Sequence, residues 1–230
     1  MRLAALFSGG KDSTCALDLV LADGHDVSHL VTAVCDRRDS YMFQTAGVEL
    51  AALAAEAIGI PHVVVRTSGV KEEEIAPLES ALAGLDVEGV VSGAIRSRYQ
   101  RDRIDALCGR LGLASLAPLW HTDMSRVERM VADYEVIVVA VASMGLGPEW
   151  LGRRLDAQAV SELRGLADRY GINADGEGGE FETSVLSGPN FGMRVEIFDS
   201  EVVWEGDSGY MVVRDAGLVE VSDDVAKTSN

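Results

Sequence analysis

The sequence predicts an α/β chain: a doubly wound parallel sheet followed by a smaller α+β unit. Short apolar runs alternate with helical stretches from Arg2 to Gly112. Such alternation implies right-handed crossovers and a parallel sheet covered on both faces. A glycine-containing hexapeptide, Ser8-Gly9-Gly10-Lys11-Asp12-Ser13, stands where the first apolar run gives way to the first helical one. After Leu119-Trp120 the pattern changes, and Arg194 to Val213 alternates like antiparallel strands. No repeat or flexible linker separates the two parts, so the expected units are 1–123 and 124–230.

Arg2 to Phe7 reads as a buried strand, broken by Ser8-Gly9-Gly10, and Asp12 to Ala22 as a helix closed by Gly24. Val27 to Cys35 is a valine-rich second strand, and Gln44 to Ile58 an alanine-rich helix ending at Gly59. Pro61 to Arg66 is a third strand. Glu72 to Leu85 is helical, with an acidic first turn that suits the helix dipole. Gly89 to Ala94 is a fourth strand, and Tyr99 to Leu111 a helix stopped by Gly112. In the second part, Met124 to Asp133 reads as a helix, Val136 to Ala142 as a buried strand, and Asp156 to Tyr170 as a helix. A loop rich in glycine and glutamate spans Asn173 to Glu182. Turns are expected at Asp199-Ser200 and Asp207-Ser208-Gly209, with a polar tail from Ser222.

Composition narrows the class. Of 230 residues, 47% are hydrophobic and 25% charged, an ordinary globular mix. The longest apolar run, Val136 to Ala142, falls far short of the roughly 20 residues of a membrane helix. The apolar stretch after Arg2 is too short for a signal peptide, so a cytoplasmic protein is expected. Cys15, Cys35 and Cys108 form no CxxC and imply neither a disulfide framework nor a zinc knuckle. Thirty-seven acidic residues against 20 basic ones give a net charge of −17, and only three of the basic residues are lysines. That balance disfavours direct binding of nucleic acid and also fits a salt-rich cytoplasm.

The hexapeptide carries the chemistry. At the carboxyl end of a parallel strand, its glycines let main chain approach an anion, and the helix start offers unpaired N–H groups. Ser8 and Ser13 add hydroxyls, Lys11 a positive charge, and Asp12 a carboxylate suited to a magnesium ion bridging phosphates. Neither GxxxxGK[ST] nor GxGxxG matches. The loop resembles that of the PP-loop pyrophosphatases, in the adenine nucleotide α-hydrolase group with its HUP-type sheet. The resemblance implies ATP, magnesium, release of pyrophosphate and an adenylate intermediate.

Other segments choose among such enzymes. No amidotransferase nucleophile is present: Arg2 stands where a cysteine would be needed, and no GxCxG elbow exists. The scattered cysteines do not suit a thiolating enzyme. Asp39-Ser40-Tyr41-Met42-Phe43 follows the second strand, and Gly93-Ala94-Ile95-Arg96-Ser97-Arg98-Tyr99-Gln100-Arg101-Asp102-Arg103 the fourth. Ala117-Pro118-Leu119-Trp120 and Gly176-Glu177-Gly178-Gly179-Glu180-Phe181-Glu182-Thr183 come later. With the first loop, these resemble the diphthine–ammonia ligase family from the first strand to about Pro189. One departure is Gln44, where that family leads one to expect a histidine. The eukaryotic members' extra C-terminal domains have no room here, which makes a short archaeal-type enzyme the better analogy.

The resemblance implies that diphthine on translation elongation factor 2 is activated by ATP and amidated by ammonia. Lys11, Asp12 and Glu180 are then the catalytic candidates. Ser8, Gly9, Gly10, Lys11, Asp12, Ser13, Gly93 and Arg103 are candidates for ATP, with adenine near Ala33 to Cys35. Tyr41, Tyr99, Gln100, Trp120, Glu177, Gly178, Gly179, Glu180, Phe181, Glu182 and Thr183 are candidates for the protein substrate. The glutamate-rich loop is either a solvated acidic face or a cation site, for ammonium or for the trimethylammonium group of diphthine, with Trp120, Tyr99 and Phe181 as cage walls. It is not a calcium loop, because Ser184 stands where a bidentate glutamate is required. Arg103 either faces the nucleotide or pairs with a surface aspartate. His121 reads as a surface histidine, and His25, His29 and His62 show no metal pattern. Two rivals remain: another PP-loop enzyme acting on tRNA, and a non-catalytic ATP- or AMP-binding regulator.

Overall fold

A computed structural model describes residues 1–35, 48–67, 75–123 and 125–221. Five parallel strands form the first sheet: β1 (Arg2–Leu6), β2 (Asp26–Cys35), β3 (His62–Thr67), β4 (Gly89–Val91) and β5 (Ala114–Leu116). Their order is β3-β2-β1-β4-β5. The chain therefore winds outward one way from β1 and returns to its other side at β4. Ligands of open α/β sheets bind at the carboxyl ends of strands at such a reversal.

Alternating residues of the strands feed two cores. Leu3, Ala5, Leu30 and Val91 face α1 (Lys11–Ala22) and α2 (Val48–Ile58). Ala4, Val31, Val65 and Val90 face α3 (Ile75–Ala83) and α4 (Arg98–Leu111). Both faces are thus covered, as the doubly wound class requires. Ser97 caps α4 by accepting the Gln100 N–H, and Gly112 ends it in the left-handed region.

The second sheet is antiparallel, in the order β7-β6-β9-β8. It comprises β6 (Glu135–Val141), β7 (Phe181–Ser187), β8 (Arg194–Glu205) and β9 (Ser208–Val219), accompanied by α5 (Ser125–Asp133) and α6 (Ala157–Tyr170). Its core joins that of α1 and α2: Leu17, Leu50, Val136, Val185 and Val195 belong to one buried cluster. No helix among the described residues is long and apolar enough to cross a membrane.

Several elements differ from expectation. β4 stops at Val91, because Ser92 to Ala94 leave the strand to pack against the start of α1. β5 and β7 were not anticipated: β5 is only three residues long, and β7 begins inside the glutamate-rich stretch. Asp199-Ser200 is no turn, since β8 runs through it with a bulge, and the hairpin closes at Gly206-Asp207. The expected starts of α2, α3 and α5 (residues 44–47, 72–74 and 124) lie outside the described residues.

Asp18, on α1, gives a pH-dependent prediction. It accepts a hydrogen bond from Asn190, and its other carboxylate oxygen is buried with no hydrogen-bond partner among the described residues. Burial raises its pKa from 3.8 to about 6, against the Asn190 bond. Folding is favoured below the ordinary value, and that contribution is lost as pH rises to about 6. Asp18→Asn should therefore stabilise the fold by about 1–3 kcal/mol at neutral pH and add nothing below pH 4. Urea unfolding at the two pH values checks this.

Candidate active site

A cleft of about 440 Å³ opens at the carboxyl ends of β1, β2 and β4, roofed by the loop that precedes β7. It has the size of a small-molecule site. The hexapeptide forms its floor. Ser13 Oγ donates to the Gly10 carbonyl at 3.0 Å and accepts the Ser8 N–H at 3.2 Å, while the Gly10 N–H reaches Ser8 Oγ at 3.3 Å. Gly9 has a φ of +74°, where a Cβ would also meet Ala51 Cα at 3.0 Å. Its carbonyl accepts the Val185 N–H, which ties the loop to β7. Gly10 caps α1 without a side chain, so the helix start is left for an anion.

Lys11 is 3% exposed, and its ammonium donates to Asp12 Oδ2 at 2.7 Å. It also lies 5.5 Å from the centre of the Phe181 ring. The Lys11 N–H donates to Thr183 Oγ1 at 3.1 Å. Asp12 is held above the ordinary carboxylate range. Burial is the main cause, opposed by Lys11 and reinforced by Glu177 and Asp175. Across the cleft, Gly93 abuts this helix start: a Cβ there would lie 2.8 Å from the Asp12 carbonyl carbon and the Ser13 nitrogen.

The roof is pinned by Glu177. Its Oε1 accepts the N–H groups of Ile95, Arg96 and Ser97 at 3.0, 2.5 and 2.7 Å. Three donors converging at the start of α4 give a carboxylate the setting of a bound anion. Beside it, Asp175 is 3% exposed and pairs with Arg96 at 3.3 Å. The glutamate-rich loop is therefore no free acidic face.

Most expected residues meet in this cleft: Ser8, Gly10, Lys11, Asp12, Ser13, Gly93, Gln100, Glu177, Gly178, Gly179, Phe181, Glu182 and Thr183 line it. Others do not. Glu180 Oε1 accepts both the main-chain and side-chain N–H of Asn173, at 2.9 and 2.6 Å, because this bond closes the base of the loop. Arg103 stacks 3.5 Å from the Tyr99 ring centre and donates to the Tyr99 carbonyl. Trp120 packs against Arg101 and His121. Of the three aromatic cage walls expected, only Phe181 lines the cleft. Tyr41 and Gln44 lie outside the described residues. Thr32 and Asp175 escaped sequence reasoning. Thr32 is a hydroxyl inside an apolar strand, which was a usable signal, whereas nothing set Asp175 apart from its acidic neighbours.

Two family models cover the chain. The diphthamide synthase N-terminal domain matches residues 1–115, and the diphthamide synthase C-terminal domain matches residues 123–219. The chain belongs to the diphthamide synthase family. The diphthine–ammonia ligase of Danio rerio is 35% identical over 93% of this chain and 92% of its own length. The Homo sapiens ligase is 35% identical over 88% of this chain and 85% of its own. The Schizosaccharomyces pombe ligase is 34% identical over 91% of this chain but only 38% of its own length. Additional length therefore marks the yeast relative and not the vertebrate ones, which corrects the expectation for eukaryotic members at large.

Proposed function

We propose that this chain is an ATP-dependent diphthine–ammonia ligase. The observation that carries this reading is the likeness to such ligases over most of both chains, joined to a cleft in which the PP-loop faces the glutamate-rich roof. The carboxylate of diphthine, on translation elongation factor 2, attacks the α-phosphorus of ATP and displaces pyrophosphate. Ammonia then attacks the acyl carbon of the adenylate, AMP leaves, and a proton is released to give the amide.

Ser8, Gly9, Gly10, Lys11 and Ser13 are assigned to the pyrophosphate, as positioning and charge stabilisation are the main demands of such a step. Gln100, Glu177, Gly178, Gly179, Phe181, Glu182 and Thr183 are assigned to the substrate side. Magnesium fits Asp12, since this ion commonly takes one or two carboxylates together with substrate phosphates. When bound, it would neutralise phosphate charge. We assign residues 1–123 to ATP and 124–230 to the protein substrate. The charge of −17 and the three lysines support a source with a salt-rich cytoplasm.

The test uses ATP labelled at the α-phosphate, with ammonium and elongation factor 2 with or without diphthine. AMP that forms only with the modified factor is the expected result. AMP stimulated by tRNA instead would favour another PP-loop enzyme, and bound ATP without turnover a regulator.

A further inference from the structure

The base of the cleft holds a hydrogen-bonded chain across three strands. On β2, the Leu30 N–H donates toward the β3 side, to the Pro61 carbonyl at 2.8 Å. In a parallel strand the direction alternates, so the Ala33 N–H is directed to the β1 side. Among the described residues the ladder ends there: its last bond runs from the Phe7 N–H to the Val31 carbonyl, at 2.9 Å. The next acceptor along β1, the Phe7 carbonyl, takes the Thr32 hydroxyl at 2.5 Å. Thr32 is 2% exposed, and its Oγ also lies 2.7 Å from His62 Nε2. A hydroxyl has one proton. With that proton given to Phe7, the imidazole must be the donor, which fixes a hydrogen on Nε2. Phe7, Thr32 and Ala33 all line the cleft.

We propose that Thr32, held by His62, is a positioning residue that occupies the Phe7 carbonyl and keeps the Ala33 N–H available to adenine. This rests on the reading of ATP as substrate. Adenine presents a lone pair at N1, whereas guanine carries a hydrogen there. A spare N–H donor thus accepts the first base and opposes the second. In Thr32→Val the Phe7 carbonyl loses its hydroxyl donor and is open to the Ala33 N–H, which closes the ladder and removes the donor.

The test is calorimetric binding of non-hydrolysable ATP and GTP analogues to the full chain. Thr32→Val should weaken the ATP analogue about tenfold and the GTP analogue little, while Thr32→Ser keeps the wild-type preference. His62→Gln, whose amide nitrogen replaces the ring donor, should stay near wild type, with His62→Ala between it and Thr32→Val. An unchanged ATP-to-GTP preference in folded Thr32→Val overturns the proposal, as does Thr32→Ser behaving like valine. Should Thr32→Val fail to fold, equal preferences in the two His62 variants overturn it. Wild-type chain that binds the ATP analogue but releases no AMP with the modified factor contradicts the ligase reading and leaves this inference standing. Wild-type chain that binds neither analogue overturns both.

Discussion

Alanine at position 93 is expected to abolish most activity. A Cβ there would stand 2.8 Å from the Asp12 carbonyl carbon and the Ser13 nitrogen, and both are main-chain atoms at the start of α1. Main chain cannot rotate away as a side chain can, so the helix start must shift. Overpacking of this kind costs about 1–3 kcal/mol. The larger effect is on the reaction, because the displaced atoms belong to the loop assigned to pyrophosphate. A misplacement of about 1 Å can cost on the order of a hundredfold in rate. Gly93→Ala should therefore lower kcat/KM for ATP by about that factor while leaving a folded chain. Gly112→Ala is the control. Gly112 has a φ of +70° and open space around it, so alanine there should cost about 1 kcal/mol of stability and no activity. Gly93→Ala with wild-type kinetics would remove the loop from the site.

The second large effect concerns the roof. Glu177 holds the N–H groups of Ile95, Arg96 and Ser97 with one oxygen, and no other side chain among the described residues accepts from them. Glu177→Ala removes a charged acceptor from three donors at once and frees the loop from the start of α4. The expected loss is about 2–4 kcal/mol in urea unfolding. Glu177→Gln retains a neutral oxygen and should lose about half as much. Released from its pin, residues 173–180 should also become the first site of proteolytic cleavage. Equal stability of the alanine variant and wild type would contradict this account of the roof.

The sequence was most legible where one physical rule dominated. Alternation of buried strands with helices gave the parallel sheet, and Ser8 to Ser13 pointed to the carboxyl end of its first strand, where the cleft opens. Legibility failed where a residue's role depends on which partner its side chain meets in the fold. Glu177 and Glu180 look alike in sequence, yet one crosses to Ile95–Ser97 and the other folds back on Asn173. For Arg103 the sequence leaves both the nucleotide and a surface aspartate open, whereas its own helix supplies Tyr99 one turn earlier, within stacking distance. β7 was hidden because its first residues, Phe181 and Glu182, continue a run of glycine and glutamate that reads as loop. The short β5 has no room for a periodic pattern.

The ligase reading is tested most directly by the mass of the protein substrate. Elongation factor 2 bearing diphthine is incubated with this chain, ATP, magnesium and ammonium, and its modified peptide is weighed before and after. The account predicts a mass change equal to replacement of OH by NH2, confined to the modified histidine and accompanied by an equal amount of AMP. Release of AMP with no change in that peptide, or no AMP at all, would contradict it.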